Sequence, residues 1–112
     1  AADNNGAKPT MVQAGVYSAV THYLKAVHEL GSDADGAKVV EKMKSMPTED
    51  RVFGKGYIRP DGRKIHDMYL FEVKKPEESK GPWDYYKIRA VIPADQAFRP
   101  IEEGECPLVK KG

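Results

Sequence analysis

Residues 10–31 carry the pattern that most restricts how this chain can fold. Thr10 is suited to cap the start of a helix and Gly31 to end it. Between them the pattern predicts about 20 helical residues, roughly 30 Å in length, because apolar side chains recur at helical spacing: Val12, Val16, Val20, Tyr23, Leu24, Val27 and Leu30. This stripe is longer than a small sheet covers, so we expect part of it to need a partner.

A second, shorter helix is predicted to follow. Asp35 is placed to cap it, and Pro47 ends it after about ten residues. The side chains expected on its buried face are Val39, Val40, Met43 and Met46.

Three strands are predicted after the helices, over residues 52–58, 64–74 and about 83–92. Pro60, Asp61 and Gly62 suit a tight reversal between the first two strands. In the third strand, simple alternation places four side chains on one face: Tyr86, Ile88, Ala90 and Ile92.

The order of these elements indicates an α+β fold, with two N-terminal helices followed by a three-stranded, mainly antiparallel sheet. Residues 1–9 are polar and contain Gly and Pro, so we expect a flexible lead-in. Residues 10–112 are expected to form a single domain.

The balance of charges excludes some classes of function. Lys and Arg number 18 against 17 Asp and Glu, which leaves a net charge of +1 in 112 residues and argues against a dedicated nucleic-acid binder. No segment approaches the roughly 20 apolar residues that a membrane helix requires, so no membrane insertion is expected. A single cysteine excludes an internal disulfide framework and a cysteine-built zinc site.

Few residues suggest catalysis or metal binding. His22 and His28 are six positions apart and fall on different sides of the predicted helix, so they do not form a metal-ligand pair. Cys106 lies among glutamates, which disfavour a reactive thiolate. We therefore predict no catalytic residue, no metal site, no cofactor and no enzymatic activity.

The predicted hairpin leaves two interpretations open. Its basic residues either bind an anion or, as is commoner, keep the hairpin tip solvated: Lys55, Arg59, Arg63 and Lys64. Nearby aromatic residues either line a pocket or, as is also commoner, pack across strands: Tyr69, Phe71, Trp83, Tyr85 and Tyr86. Gly54 and Gly56 are interpreted as strand-start or bulge glycines, because no helix follows them.

Five segments of the sequence, taken in order, resemble one family. They are MVQAGVYSAVTHYLKAVHELGS, VVEKMKSMP, FGKGYIRPDGRKIHDMYLFEVKKP, GPWDYYKIRAVIPADQAF and GECPLVK. Together they resemble the C-terminal part of periplasmic solute-binding proteins of ABC importers, of the branched-chain amino acid type, over roughly residues 9–110.

The resemblance implies a fold of two α/β lobes, joined by three crossovers, that close on a small ligand. It also implies that most of both lobes is absent from this chain. Carried over by position, Gln13 and Tyr17 are the residues expected nearest to a ligand, with helix packing as the competing role.

The function implied by the resemblance is a non-catalytic, periplasmic binding module for a small amino acid or an organic or aromatic acid. Its implied protein partner is an ABC permease. A portion of a larger domain exposes apolar surface, so we also expect a homo-oligomer, most simply a dimer. The alternative is a self-associating structural or interaction domain that has lost solute binding. A fragment whose function belongs to a missing part is a further alternative.

Overall fold

The structure is a computed structural model that describes residues 5–109. Residues 1–4 of the predicted lead-in, and the last three residues of the predicted domain, lie outside the described residues.

Two helices open the fold, as predicted. Helix α1 spans Met11–Leu30, and Gly31 ends it in the left-handed conformation. Helix α2 spans Gly36–Ser45, and the side chain of Asp35 caps it by accepting hydrogen bonds from the backbone of residues 37 and 38. Met46, just before Pro47, is already extended, which confirms the predicted end of α2.

The first sheet has three short antiparallel strands in the order β1-β2-β3: Thr48–Asp50, Gly54–Ile58 and Lys64–Ile65. The turn between β2 and β3 uses the predicted Pro-Asp-Gly, and Gly62 donates to the carbonyl of Arg59 at 2.8 Å. Gly56 has a packing role, because a Cβ there would overlap the carbonyl oxygen of Ile65 and lie 2.9 Å from Thr48 Oγ1.

The second sheet is an antiparallel ribbon of two strands, β4 (Met68–Val73) and β5 (Tyr86–Ile92). The α+β class is confirmed, but the predicted single strand 64–74 is divided between the two sheets. The break falls at residues 66 and 67, where His66 Nδ1 lies 2.7 Å from the carbonyl oxygen of Asp67 and the Asp67 side chain accepts from Ala94 N at 2.9 Å.

A β-bulge at Arg89 overturns the predicted face of β5. Phe71 pairs with Ile88 and Leu70 with Ala90, so Arg89 is an extra residue without an opposite partner. The bulge moves Ala90 and Ile92 to the opposite face from Tyr86 and Ile88. The face thus formed, called here the ribbon face, is wholly apolar: Tyr69, Phe71, Val73, Tyr86, Ile88 and Val91.

The buried core lies between the helices and the first sheet. Its apolar members are Ala26, Val39 and Ile65, and it also buries the polar side chains Ser18, His22 and Thr48. Val39 confirms the predicted buried face of α2, whereas Val40 of that face is exposed.

Helix α1 therefore packs through an unexpected side. The buried positions Ser18, His22 and Ala26 are four residues apart and form one narrow line along α1. Most of the predicted apolar stripe lies on exposed surface, called here the α1 face: Val12, Val16, Val20, Tyr23, Leu24 and Leu30. Within residues 5–109, most of the stripe is exposed, in agreement with the expectation that part of it needs a partner.

The ribbon extends away from the helices, and neither β4 nor β5 packs on α1 or α2. The radius of gyration is 17.3 Å, compared with about 13 Å for a compact domain of this length. Among residues 5–109, no helix is long and apolar enough to cross a membrane.

Candidate functional site

The first turn of α1 holds the two residues predicted to lie nearest to a ligand. Thr10 and Gln13 form a capping box, in which Thr10 N donates to Gln13 Oε1 at 2.8 Å and Gln13 N donates to Thr10 Oγ1 at 3.4 Å. The Gln13 side chain thus has a structural role through its oxygen. Among the described residues, no hydrogen bond uses its amide nitrogen, which leaves two donors for another group.

Tyr17 lies one turn after Gln13, so the two side chains point along the same side of α1. It is 49% exposed, and no hydrogen bond within residues 5–109 uses its hydroxyl. Exposed Val16 and Val20 flank it on the α1 face. The result is a surface with two polar groups in an apolar surround, which is the usual composition of a small-molecule site once a second surface closes over it.

A buried polar cluster lies on the other, packed side of α1. Ser18, the neighbour of Tyr17, donates from Oγ to Asp50 Oδ2 at 2.5 Å. Lys64 donates from Nζ to Ser18 Oγ and lies 3.3 Å from Asp50 Oδ2. The cluster therefore ties α1 to the end of β1 and to β3, three elements that are distant in sequence.

Asp50 is the most strongly held member of the cluster, with a side chain only 4% exposed. Its Oδ1 also accepts from the backbone of Val52 and Phe53, both at 2.8 Å. Burial alone would raise the pKa of Asp50, but the hydrogen bonds from Ser18, Phe53 and Val52 and the charge of Lys64 outweigh it. The pKa of Asp50 is consequently held far below its ordinary value.

Sequence reasoning missed this cluster. A local signal existed, because Asp followed by two residues with free backbone N–H groups is typical of an Asx turn. The participation of Ser18 and Lys64 carries no such signal, since they lie 32 and 14 residues away from Asp50.

The other residues considered for catalysis or metal binding are dispersed. His22 is buried and donates from Nε2 to the carbonyl oxygen of Met43 at 2.8 Å, whereas His28 is exposed near the end of α1. His66 lies between Phe53 and Phe98, in a tilted contact with the first ring and an edge-on contact with the second, with ring centroids 4.9 and 5.6 Å away. Cys106 is half-buried in the C-terminal tail. Within residues 5–109, no group of three His, Cys, Asp or Glu side chains is arranged to hold a metal ion.

The aromatic residues of the ribbon pack mainly against one another. Phe71 lies 6.1 Å from Tyr69 along β4 and 6.0 Å from Tyr86 across the strands, measured between ring centroids. This arrangement agrees with the favoured interpretation of cross-strand packing.

Comparisons with known proteins show which proteins this chain is similar to. The family model described as periplasmic binding protein matches residues 1–82. A periplasmic binding protein from Burkholderia mallei, solved as a crystal structure, is 53% identical with a TM-score of 0.87, and the match covers 96% of this chain and 28% of that one.

A second solved structure gives a similar result. It is a branched-chain amino acid ABC transporter periplasmic ligand-binding protein from Burkholderia xenovorans LB400, 48% identical with a TM-score of 0.84. The match covers 92% of this chain and 27% of that one, so this chain spans little more than a quarter of either solved relative. No curated protein matches the chain.

Proposed function

Because this chain belongs to the periplasmic binding protein family, we propose that it serves as a non-catalytic solute-binding module of an ABC importer in the periplasm. The proposed ligand is a small amino acid or an organic or aromatic acid. The proposed protein partner is the importer's permease. The observation that carries the proposal is the α1 face, where Gln13 and Tyr17 present unused polar groups among exposed apolar side chains.

The same face explains why the chain needs a second surface to bind a solute. Gln13 and Tyr17 lie on the outside of one helix, and a small molecule on such a surface keeps most of its own area in water. In the two solved relatives, about three-quarters of the chain lies outside the matched part. We propose that an equivalent surface closes over the α1 face, supplied by further sequence of the same protein or by a second copy.

The chemistry of the two polar groups sets the ligand class. The amide nitrogen of Gln13 donates hydrogen bonds to a carboxylate, and the hydroxyl of Tyr17 both donates and accepts. The valines beside them favour an apolar body on the ligand. An acid with an apolar side chain or ring matches all three features.

Native mass spectrometry at several protein concentrations tests the proposal, with leucine, phenylalanine and benzoate as added ligands. A dimer that carries one of these masses supports solute binding by a site completed between two copies. A monomer that carries no ligand at any concentration contradicts a site completed by a second copy, and leaves further sequence of the same protein as the source of the second surface.

Two conservative variants test the site residues. Gln13→Glu keeps the capping box, which accepts either residue at this position, but replaces the free amide donors with a carboxylate that repels an acid. Tyr17→Phe removes only the hydroxyl. We expect each to weaken ligand binding about tenfold, whereas the matched changes Gln96→Glu and Tyr85→Phe, at exposed positions outside α1, leave it unchanged.

A second candidate function is a self-associating structural or interaction domain. The ribbon face favours it, since six exposed apolar side chains on one sheet face are typical of a protein–protein contact. A dimer that forms without any bound solute, and whose melting temperature rises with protein concentration but not with ligand, supports this candidate over the first.

A further inference from the structure

The hairpin turn and the C-terminal tail enclose an open pocket that no proposed function uses. Its volume is about 320 Å³, within the range of small-molecule sites. None of its lining residues belongs to α1, and they come from the turn and from one tail segment: Arg59, Asp61, Arg63, Ala97, Phe98 and Arg99.

Two of the three arginines are neutralised within the chain. Arg59 donates to both oxygens of Asp61, at 3.1 and 2.7 Å, and to the carbonyl oxygen of Arg99 at 2.8 Å. This fork-to-fork pair lowers the pKa of Asp61 through the Arg59 hydrogen bonds. Arg99 in turn donates to Glu103, to a carboxylate oxygen at 3.4 Å and to the backbone oxygen at 2.6 Å.

Arg63 is the exception. Within residues 5–109, no carboxylate lies at ion-pair distance from its guanidinium. The guanidinium carbon lies 5.0 Å from the ring centroid of Phe98, and the edge-on contact between Phe98 and His66 holds that ring in place. A guanidinium held over an aromatic ring by a cation–π contact still has its N–H donors available for a carboxylate.

We propose that this pocket, called here the Arg63 pocket, is a second ligand site that binds a single carboxylate. Arg63 supplies the one uncompensated positive charge among the described lining residues, and Ala97 and Phe98 supply an apolar wall for the rest of the ligand. The sequence alone left the basic hairpin open between anion binding and simple solvation. Of those four basic residues, Arg59 pairs with Asp61 and Lys64 with Asp50. Lys55 does not line the pocket, so Arg63 is the one left to bind an anion there.

The charges of the pocket favour a monocarboxylate over a phosphate. One unpaired guanidinium matches one negative charge, and the nearby carboxylate of Asp61 repels a phosphate dianion about twice as strongly as a monocarboxylate. The Phe98 ring favours a ligand with a flat apolar group, because stacking adds to the ion pair. The same carboxylate chemistry is found in a free aromatic acid and in an acidic side chain of a protein.

Titration by nuclear magnetic resonance tests the proposal at constant ionic strength. The probe is sodium benzoate, benzamide is the uncharged control of the same shape, and a blocked Gly-Glu-Gly peptide represents a protein side chain. The readouts are the Arg63 Nε–H signal and the Phe98 ring signals. We expect both to shift with benzoate or with the peptide but not with benzamide, and whichever carboxylate binds more tightly identifies the source.

Variants separate this site from the one on α1. Arg63→Gln leaves the backbone hydrogen bonds of the turn in place and is expected to weaken benzoate binding about tenfold or more. Arg63→Lys keeps the charge but loses the two-pronged geometry, so its effect is intermediate. The matched change Arg51→Gln, at an exposed arginine outside the pocket, is expected to have no effect.

Three results would overturn the proposal. They are the absence of any Arg63 shift with both carboxylates, equal shifts with benzamide, and unchanged affinity in Arg63→Gln. Gln13→Glu must leave the Arg63 shifts as they are, so failure of one site is distinguishable from failure of the other.

Discussion

The two ends of this chain differ in how much of their structure is self-contained. All buried side chains identified in residues 5–109 lie between Ser18 and Ile65, in the helices and the first sheet. The ribbon of β4 and β5 has none. Every side chain of β4 is exposed, whichever face of the ribbon it lies on. The first part has a small core of its own, whereas the ribbon is held by its backbone pairing and by cross-strand contacts. An isolated two-stranded ribbon is only marginally stable in water, so the ribbon needs a surface that the described residues do not supply.

Two isoleucines give the largest expected contrast. Ile65 is 3% exposed in the core and Ile88 is 59% exposed on the ribbon face. We expect Ile65→Ala to lower the free energy of unfolding by about 2–4 kcal/mol, because it leaves a cavity. Ile88→Ala should lower it by less than about 0.5 kcal/mol. Urea unfolding followed by circular dichroism measures both, and equal effects would mean that the ribbon is packed as tightly as the core.

The Asp50 cluster gives the next contrast. Asp50→Asn removes a buried charge from Lys64, Ser18 and two backbone donors, so we expect a loss of about 2–4 kcal/mol in the free energy of unfolding. Asp84 in the ribbon loop also pairs with a lysine, Lys74, at 2.8 Å, but it is more exposed, and Asp84→Asn should cost much less. If the order is reversed, the cluster does not hold α1 to the sheet.

Asp50 should also determine how the stability of the protein changes at acid pH. The pKa of Asp50 is lowered in the folded state, so the unfolded state binds more protons as the pH falls below about 4. The stabilisation by Asp50 is therefore complete above that pH and is lost as the pH falls toward the folded pKa. Melting curves between pH 2 and pH 7 should show that the melting temperature falls less on acidification in Asp50→Asn than in the unaltered chain. Parallel curves would remove Asp50 as the cause.

Two glycines, Gly15 within α1 and Gly31 just after its last residue, give a smaller contrast in stability. Gly31 is left-handed with φ of 70°, whereas Gly15 is helical and a Cβ there meets no atom within 4 Å. We expect Gly31→Ala to destabilise by about 1 kcal/mol and Gly15→Ala to stabilise by about 0.5–1 kcal/mol. Thermal unfolding of both variants tests these opposite signs. A loss in Gly15→Ala would indicate that another surface packs closely on that part of α1.

The smallest effect on folding is expected on the ribbon face. Phe71→Lys places a charge among the five other exposed apolar residues of the ribbon face and should change the melting temperature of the dilute protein very little. It should, however, reduce self-association measured by analytical ultracentrifugation, because it adds a charge that an apolar contact would have to desolvate. An unchanged association constant would assign self-association to the α1 face instead.

How far the sequence predicts this structure depends on how local each signal is. The caps at Thr10 and Asp35, the stop at Gly31 and the Pro-Asp-Gly turn act over a few residues, and all were predicted correctly. β1 was missed because three residues carry too little pattern. The bulge at Arg89 was missed because simple alternation already gave β5 one wholly apolar face, so nothing in the sequence indicated an extra residue.

The burial of α1 is a different kind of failure. Periodicity identifies an apolar stripe but not the surface against which it packs, and here the chain buries the small and polar line of Ser18, His22 and Ala26. The Ser18–Asp50–Lys64 cluster was missed for the same reason. Gln13 and Tyr17 were chosen through a family resemblance, and their role in ligand binding stays a prediction.

The bulge in β5 determines where the strand can lose a residue without altering the apolar face of the ribbon. Without Arg89, the pairs Phe71–Ile88 and Leu70–Ala90 would follow one another in ordinary alternation, and every other side chain would keep its face. Loss of Ile88 instead would bring Arg89 opposite Phe71 and place its charge on the apolar side of the ribbon. Arg89 is therefore the position at which a deletion costs only its ion pair with Glu72 and the local twist, while the apolar surface of the ribbon is preserved.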